Sequence, residues 1–302
     1  MSHPPGVALV SREYPPHFGG GIGTYARHQA RALADAGARV HVITMAHEAT
    51  HPRLHRDGPV TVHRVALTGA NVNWAAAAAR FGADAARVAL DLWARGEVDV
   101  VECPEFEGPA AAFLAAKAAM GARLAVNAAT GARLAANAAM GTGRAGPPVV
   151  VHFHTPTEVI FRLRSIWAER TSVPFAAHML SERLAIHEAD ALCAPSAFIA
   201  RFAHRHYALP EPPRVIPYPL PLPPENAADA GTPRERVVLH VGRVEPRKGV
   251  EVLVRAWALI AARLPGWTLR FVGADTTTSP ARTSLQGHLV SLVPEALRAS
   301  VQ

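Results

Sequence analysis

Short apolar runs recur along the chain at Val7–Ser11, Val40–Thr44, Val60–Val65, Val98–Glu102, Val149–His154, Ala191–Ala194 and Arg214–Pro217. Bounded by Gly, Pro or polar clusters, runs of this length predict strands. Stripes at helical spacing lie between them. A loop with Pro15, Pro16 and several glycines leads into Ala26, Ala30, Leu33 and Ala34 on one stripe, which Gly37 ends. Further helices are predicted over Asn73–Arg95, from about Pro109, over Pro174–His187 and over Ala197–His206. Repeated βα units predict an α/β fold, a parallel sheet covered by helices on both faces.

The pattern breaks where Pro217, Pro219, Pro221, Pro223 and Pro224 crowd together and a polar stretch runs on to Arg234. Proline without glycine makes a stiff, extended linker. The pattern then restarts with a strand at Arg236–Val241, a helix at Val250–Leu264, a strand at Thr268–Val272 and a weaker helical pattern at Leu285–Leu292. The expected organisation is a Rossmann-like domain over residues 1–218, a linker over 219–234 and a second Rossmann-like domain over 235–302. The second has room for about two βα units at ~30 residues each, so it is expected to be incomplete. Within residues 117–146 a decapeptide repeats as KAAMGARLAV, NAATGARLAA and NAAMGTGRAG. That period is shorter than any solenoid repeat, and the segment reads as a passive insertion.

Composition narrows the classes. Of 302 residues, 49% are hydrophobic and 18% charged, which excludes a disordered chain. The only cysteines, Cys103 and Cys193, exclude a disulfide scaffold. A net charge of +7 favours anionic partners. The arginines are scattered and few aromatics accompany them, which weighs against nucleic acid. No uncharged apolar stretch reaches the ~18 residues of a membrane span, and no basic region precedes the N-terminal apolar run. The expectation is a cytoplasmic chain, with room for peripheral contact at an anionic membrane face. Lys117 and Lys248 are the only lysines among 31 basic residues.

Three constellations could carry chemistry. Gly19–Gly23 precedes a helix, and backbone N–H groups there suit an anion. Gly21-x-Gly23-x-x-Ala26 matches a dinucleotide fingerprint, but Arg12–Phe18 separate it from the strand and Thr44 stands where an acid is required. His152-x-His154 ends the fifth strand, with both imidazoles on one face. Ligands bind beyond the carboxyl ends of such strands, and a metal finds no third residue at diagnostic spacing. In His240–Gly249 a strand, a glycine turn and a helix start frame Arg243 and Lys248. Two cations and a helix N-terminus make a pocket for a diphosphate.

These motifs resemble the retaining GT-B glycosyltransferases of family 4. The resemblance is carried by Gly19–Gly23, the strand-end His154, APSAFI at Ala194–Ile199, RVIPYP at Arg214–Pro219 and GRVEPRKG at Gly242–Gly249. It implies two Rossmann-like domains, with a nucleotide-diphosphate sugar bound mainly by the second and an acceptor (carbohydrate, lipid or small molecule) by the first. Arg243 and Lys248 would hold the diphosphate as charge develops on it, and Glu245 matches an acidic position of the motif. Gly20, Gly21 and Gly23 would admit substrate to the backbone, and His154 would contact the sugar. The donor is then a substrate, and neither metal nor other cofactor is implied. The family's later pair of glutamates, eight positions apart, and its returning C-terminal helix have no counterpart here, and RVIPYP replaces a commoner Pro-Asn-Gly turn. The expectation is a glycosyltransferase truncated in its donor domain, with impaired turnover. The alternative is a non-catalytic binding or pairing module that self-associates or joins a complementary chain. A nicotinamide dehydrogenase fails on the missing acid.

Overall fold

The computed structural model describes residues 4–16, 20–46, 48, 51–66, 74–129, 146–163, 172–221 and 235–302. Gly19, most of the decapeptide repeat and most of the Pro-rich linker lie outside them. The chain divides into two compact units, Met1–Val159 with Ala168–Leu222, and Ile160–Trp167 with Pro223–Gln302.

Unit 1 is built on strands β1 (Gly6–Val10), β2 (Arg39–Ala46), β3 (Leu54–Asp57), β4 (Val60–Ala66), β5 (Val100–Pro104), β6 (Val149–His152), β7 (Ala191–Ala194) and β8 (Arg214–Val215). They form one sheet in the order β3-β4-β2-β1-β5-β6-β7-β8. All neighbours run parallel except the β3–β4 pair at the edge. Every residue of β1 is buried, as a central parallel strand requires. Helices α1 (Gly21–Asp35), α2 (Trp74–Ala94), α3 (Ala110–Ala129), α5 (Val173–Glu188) and α6 (Ala197–His206) follow the strands, and α4 (Thr157–Leu163) runs across the division at Val159 and Ile160. Ala26 and Ala30 of α1 pack with Val7, Leu9, Val40 and Val62 on one face. Phe81, Phe113, Ile186 and Ala203, from α2, α3, α5 and α6, pack with Ile43, Val101 and Val151 on the other. The helix starts follow the local sequence. Ser172 and Ser196 cap α5 and α6 by accepting from the Phe175 and Ile199 N–H groups, each at 3.3 Å.

Unit 2 holds β9 (Val237–Val241) and β10 (Thr268–Val272), paired in parallel, with α7 (Val250–Ile260) and α8 (Leu285–Ser291). Val254, Trp257, Leu285 and Leu289 cover one face of the pair through Leu269 and Phe271. The alternate positions Leu239, Val241 and Val272 point the other way and are exposed, Val241 by 72%. Val301 bridges Leu269 in parallel, and the Gln302 N–H donates to the Leu269 carbonyl at 2.8 Å.

Candidate functional site

Three elements of unit 1 bring polar aromatics together at the carboxyl end of the sheet. The chain leaves β6 at His152, and His154 lies just beyond it on the same side, the two rings stacked 5.4 Å apart. Tyr25, one turn into α1, sets its ring edge against His154 at 4.7 Å. Tyr218, beyond β8, stacks on His154 at 5.2 Å. The Tyr25 hydroxyl lies 2.5 Å from Glu102 Oε1 and 2.8 Å from His152 Nδ1. A hydroxyl has one hydrogen, so it donates to the carboxylate and accepts from the imidazole. Burial and the Glu102 charge hold the Tyr25 phenol far above its ordinary range.

His154 is fixed at two points. Its backbone N–H donates to Glu105 Oε2 at 2.7 Å, and its Nδ1 lies 2.5 Å from the Tyr218 hydroxyl, which is itself 3.3 Å from the Phe153 carbonyl. The carbonyl can only accept. The assignment that satisfies both contacts has Tyr218 donating to Phe153 and His154 donating from Nδ1, which leaves Nε2 with its lone pair. Burial, and then the neighbouring His152, push the imidazole down to about 3. His154 is therefore uncharged at neutral pH. It can hydrogen-bond a ligand but is poorly matched to general acid–base work there.

Beneath His154 lie two fully buried acids, Glu105 and Glu182. Glu182 accepts from the N–H groups of Glu107 at 3.0 Å and Thr157 at 3.2 Å, and from the Thr157 hydroxyl. Burial, then the charge of Glu182, push Glu105 up to about 8. Burial raises Glu182 to about 7 against the hydrogen bonds from Thr157. Glu107 instead faces Arg12, whose Nη1 lies 2.6 Å from both carboxylate oxygens.

The glycine loop is occupied by its own chain. The Gly20 N–H donates to Glu13 Oε2 at 2.6 Å, and a Cβ on Gly23 would sit 3.0 Å from the Glu13 Cβ. Gly21 faces open space. A cavity of about 40 Å³ opens beside the loop, lined by Arg12, Glu13, Ile22, Phe81, Phe106 and Glu107 among others.

In unit 2 the residues after β9 form a cationic turn. Gly242 has φ 145° and Gly273 φ 151°, and a Cβ on Gly273 would fall 2.1 Å from the Gly242 carbonyl oxygen. The loops after β9 and β10 touch through backbone alone, which only glycine allows. Pro246–Lys248 make one 3-10 turn, and Gly249, left-handed at φ 69°, starts α7. Glu245 is buried and braces two arginines, with Oε2 3.4 Å from Arg243 and Oε1 2.7 Å from Arg247. Lys248 is exposed and has no carboxylate partner among the described residues. Of the predicted site residues, Arg243, Glu245 and Lys248 share this turn, while His154, Gly20, Gly21 and Gly23 belong to unit 1. Among the described residues no group of three metal-ligating side chains comes together.

Two family models match consecutive stretches, a glycosyl transferase 4-like domain over residues 20–135 and glycosyltransferase family 4 over residues 124–222. Together they take in the glycine loop, the strand-end histidines and RVIPYP. The chain belongs to the GT-B glycosyltransferases of the family-4 type. Solved structures share the fold of this glycosyltransferase at low identity. A sucrose-phosphate synthase from Thermosynechococcus elongatus aligns with TM-score 0.64 and 20% identity, over 99% of this chain and 69% of that one. An α,α-trehalose-phosphate synthase (UDP-forming) from Burkholderia vietnamiensis aligns with TM-score 0.55 and 14% identity, over 98% and 72%. The catalytic domain of starch synthase IV from Arabidopsis thaliana, bound to ADP and acarbose, aligns with TM-score 0.54 and 13% identity, over 90% and 69%. No protein of curated function matches in sequence. No described helix of the glycosyltransferase is long and apolar enough to cross a membrane.

Sequence reasoning passed over Tyr25, Glu105, Glu182 and Tyr218. One signal was available for Glu182. It falls on the stripe Phe175, His178, Glu182, Ala185, Ile186 that α5 of the glycosyltransferase buries, so an acid was due in the core. Glu105 carries no such signal, because it follows a strand end where periodicity stops, while Tyr218 lies inside RVIPYP, a motif that gives its tyrosine no separate role.

Proposed function

We propose that this chain binds a nucleotide-diphosphate sugar and serves its transfer, with retention, to a carbohydrate, lipid or small-molecule acceptor. The observation that carries the reading is the turn after β9. Glu245 neutralises part of the charge of Arg243 and Arg247 and holds both in place, while Lys248 keeps its charge in solvent. A diphosphate that meets this turn gains cations already positioned, with the N-terminus of α7 behind them. As the sugar leaves, charge grows on the phosphate, and fixed cations stabilise it without reorganising. The departing phosphate oxygen would take the acceptor's proton, a route that needs no protein base. That fits an uncharged His154, whose part is to hydrogen-bond a sugar hydroxyl. The starch synthase relative is bound to ADP, which supports nucleotide binding on this fold. These residues taken alone should bind donor more readily than they turn it over, because the family's paired glutamates are not among them.

The test is calorimetry of the chain with nucleoside diphosphates and their sugars. Lys248→Ala should weaken binding by ~1.5–3 kcal/mol, the range for a hydrogen bond to a charged group. Equal affinity in parent and variant would refute the assignment of the turn.

A further inference from the structure

We propose that Glu105 and Glu182 are positioning residues: together they fix the backbone from His154 to Thr157 so that the His154 imidazole is presented beside Tyr218. The proposal rests on the reading of His154 as a sugar contact.

Both acids are fully buried, yet no cation pairs with either among the described residues. Arg12 is engaged by Glu107. The nearest basic group to Glu182 is His178 at 4.0 Å, and burial and the Arg12 charge push that imidazole down to about 4. Among the described residues Glu105 Oε1 has no hydrogen-bond partner. Burying carboxylates this way is unfavourable in itself, so core stability does not account for them. What they hold does. Their backbone donors come from two places, the turn after β5 (Glu107) and the segment after β6 (His154 and Thr157). These N–H groups lie where the sheet ladder has ended. Glu182 ties the two segments to α5, and Glu105, which starts the turn after β5, ties that turn to His154. The strand-end backbone is thus held by two buried carboxyl groups that accept its N–H bonds on both sides of Thr155–Pro156. With its main chain fixed by Glu105 and its Nδ1 by Tyr218, His154 has little freedom left. The groups facing its ring are His152, Tyr25 and Tyr218. Those facing Glu105 are Glu182, Tyr207, Tyr218 and the amides of His154, Phe106 and Glu105 itself.

The experiment is long-range proton–nitrogen NMR of the imidazoles in the uniformly labelled 302-residue chain, with His154 assigned by its loss in His154→Gln. The parent should show His154 as one neutral tautomer at pH 7, titrating near 3. In Glu105→Ala the tautomers should mix and the midpoint should move toward ~6.5, the ordinary imidazole value. Glu105→Gln keeps an acceptor oxygen in place and should restore the parent spectrum. Should Glu105→Ala not fold, Glu105→Asp withdraws the carboxylate by one methylene and should shift His154 in the same sense. Unchanged His154 resonances in a folded Ala or Asp variant would overturn the proposal, as would a Gln variant that shifts as far as they do. The spectra need neither donor nor turnover. Their outcome is therefore separate from that of His154→Ala in a donor-binding or transfer assay, which tests the sugar contact itself.

Discussion

Glu105 couples the site to pH with a definite sign. Its carboxyl is pushed up to about 8 in the fold, above its ordinary 4.5. Between those values the native chain holds a proton that the unfolded chain has released, so stability falls as pH rises, by up to ~1.4 kcal/mol per pH unit for one proton. Glu182, at about 7, acts in the same direction. The buried histidines act oppositely. His41 is pushed down to about 4, by burial and then by His63, so the unfolded chain takes up protons first as pH drops below ~6.5. The windows separate above that value. From pH 6.5 to 8.5 the melting temperature of the parent should fall, and that of Glu105→Gln should fall less, so their difference grows. Parallel melting curves across that range would remove Glu105 as a titrating group. Of these residues, His154 and its stacked neighbour were legible because alternation along a strand predicts which side chains share a face. Glu105 was not, because its role is set by what packs over it.

At the scale of elements, legibility followed burial. The predicted bounds of β7, α6 and β10 coincide with the structure: Asp190 and Pro195 bracket β7, the Ser196 cap starts α6 and Gly273 ends β10. β3 went unpredicted. Leu54–Asp57 holds one apolar residue and pairs antiparallel at the sheet edge, where no second face asks for an apolar pattern. β5 begins at Val100, two residues later than the apolar run suggests, because the Asp99 carboxylate accepts the Gly6 N–H at 2.6 Å where the ladder would start. α4 is short and follows the sharp exit from β6, so it left no stripe. The turn after β5 is held by geometry that sequence pattern does not reveal. Glu107 and Gly108 have φ 66° and 58°, and a Cβ on Gly108 would lie 2.6 Å from the Ser181 carbonyl carbon on α5. Gly108→Ala therefore combines left-handed strain with a backbone clash. The expected loss is ~2–4 kcal/mol in denaturant unfolding, by the usual size of such effects. A loss under ~1 kcal/mol would show that the turn is free to move off α5.

At the scale of the whole molecule, the two units treat their sheets differently. Unit 1 buries both faces of its parallel sheet, as the repeating βα pattern implied. Unit 2 buries one. Its outer face carries Leu239, Val241 and Val272, which stand side by side because Val241 registers with Val272 and Leu239 with Arg270. Parallel sheets are stable when covered on both faces, and an apolar face beside an open strand edge is a template for association. The chain should therefore self-associate through unit 2 as its concentration rises. Leu239→Glu tests this without disturbing the core. It puts an acid on the exposed face, opposite Arg270, where a cross-strand pair contributes ~0.2–1 kcal/mol. Light scattering across a dilution series should show the variant monomeric where the parent is not, with no lower melting temperature. Val238→Glu is the contrast, since Val238 packs against the core on the covered face, and it should unfold the unit. If Leu239→Glu associates as the parent does, the outer sheet face is not the contact, and the exposed side of α7, where Val252 and Leu259 are 72% and 81% exposed, is the next surface to test.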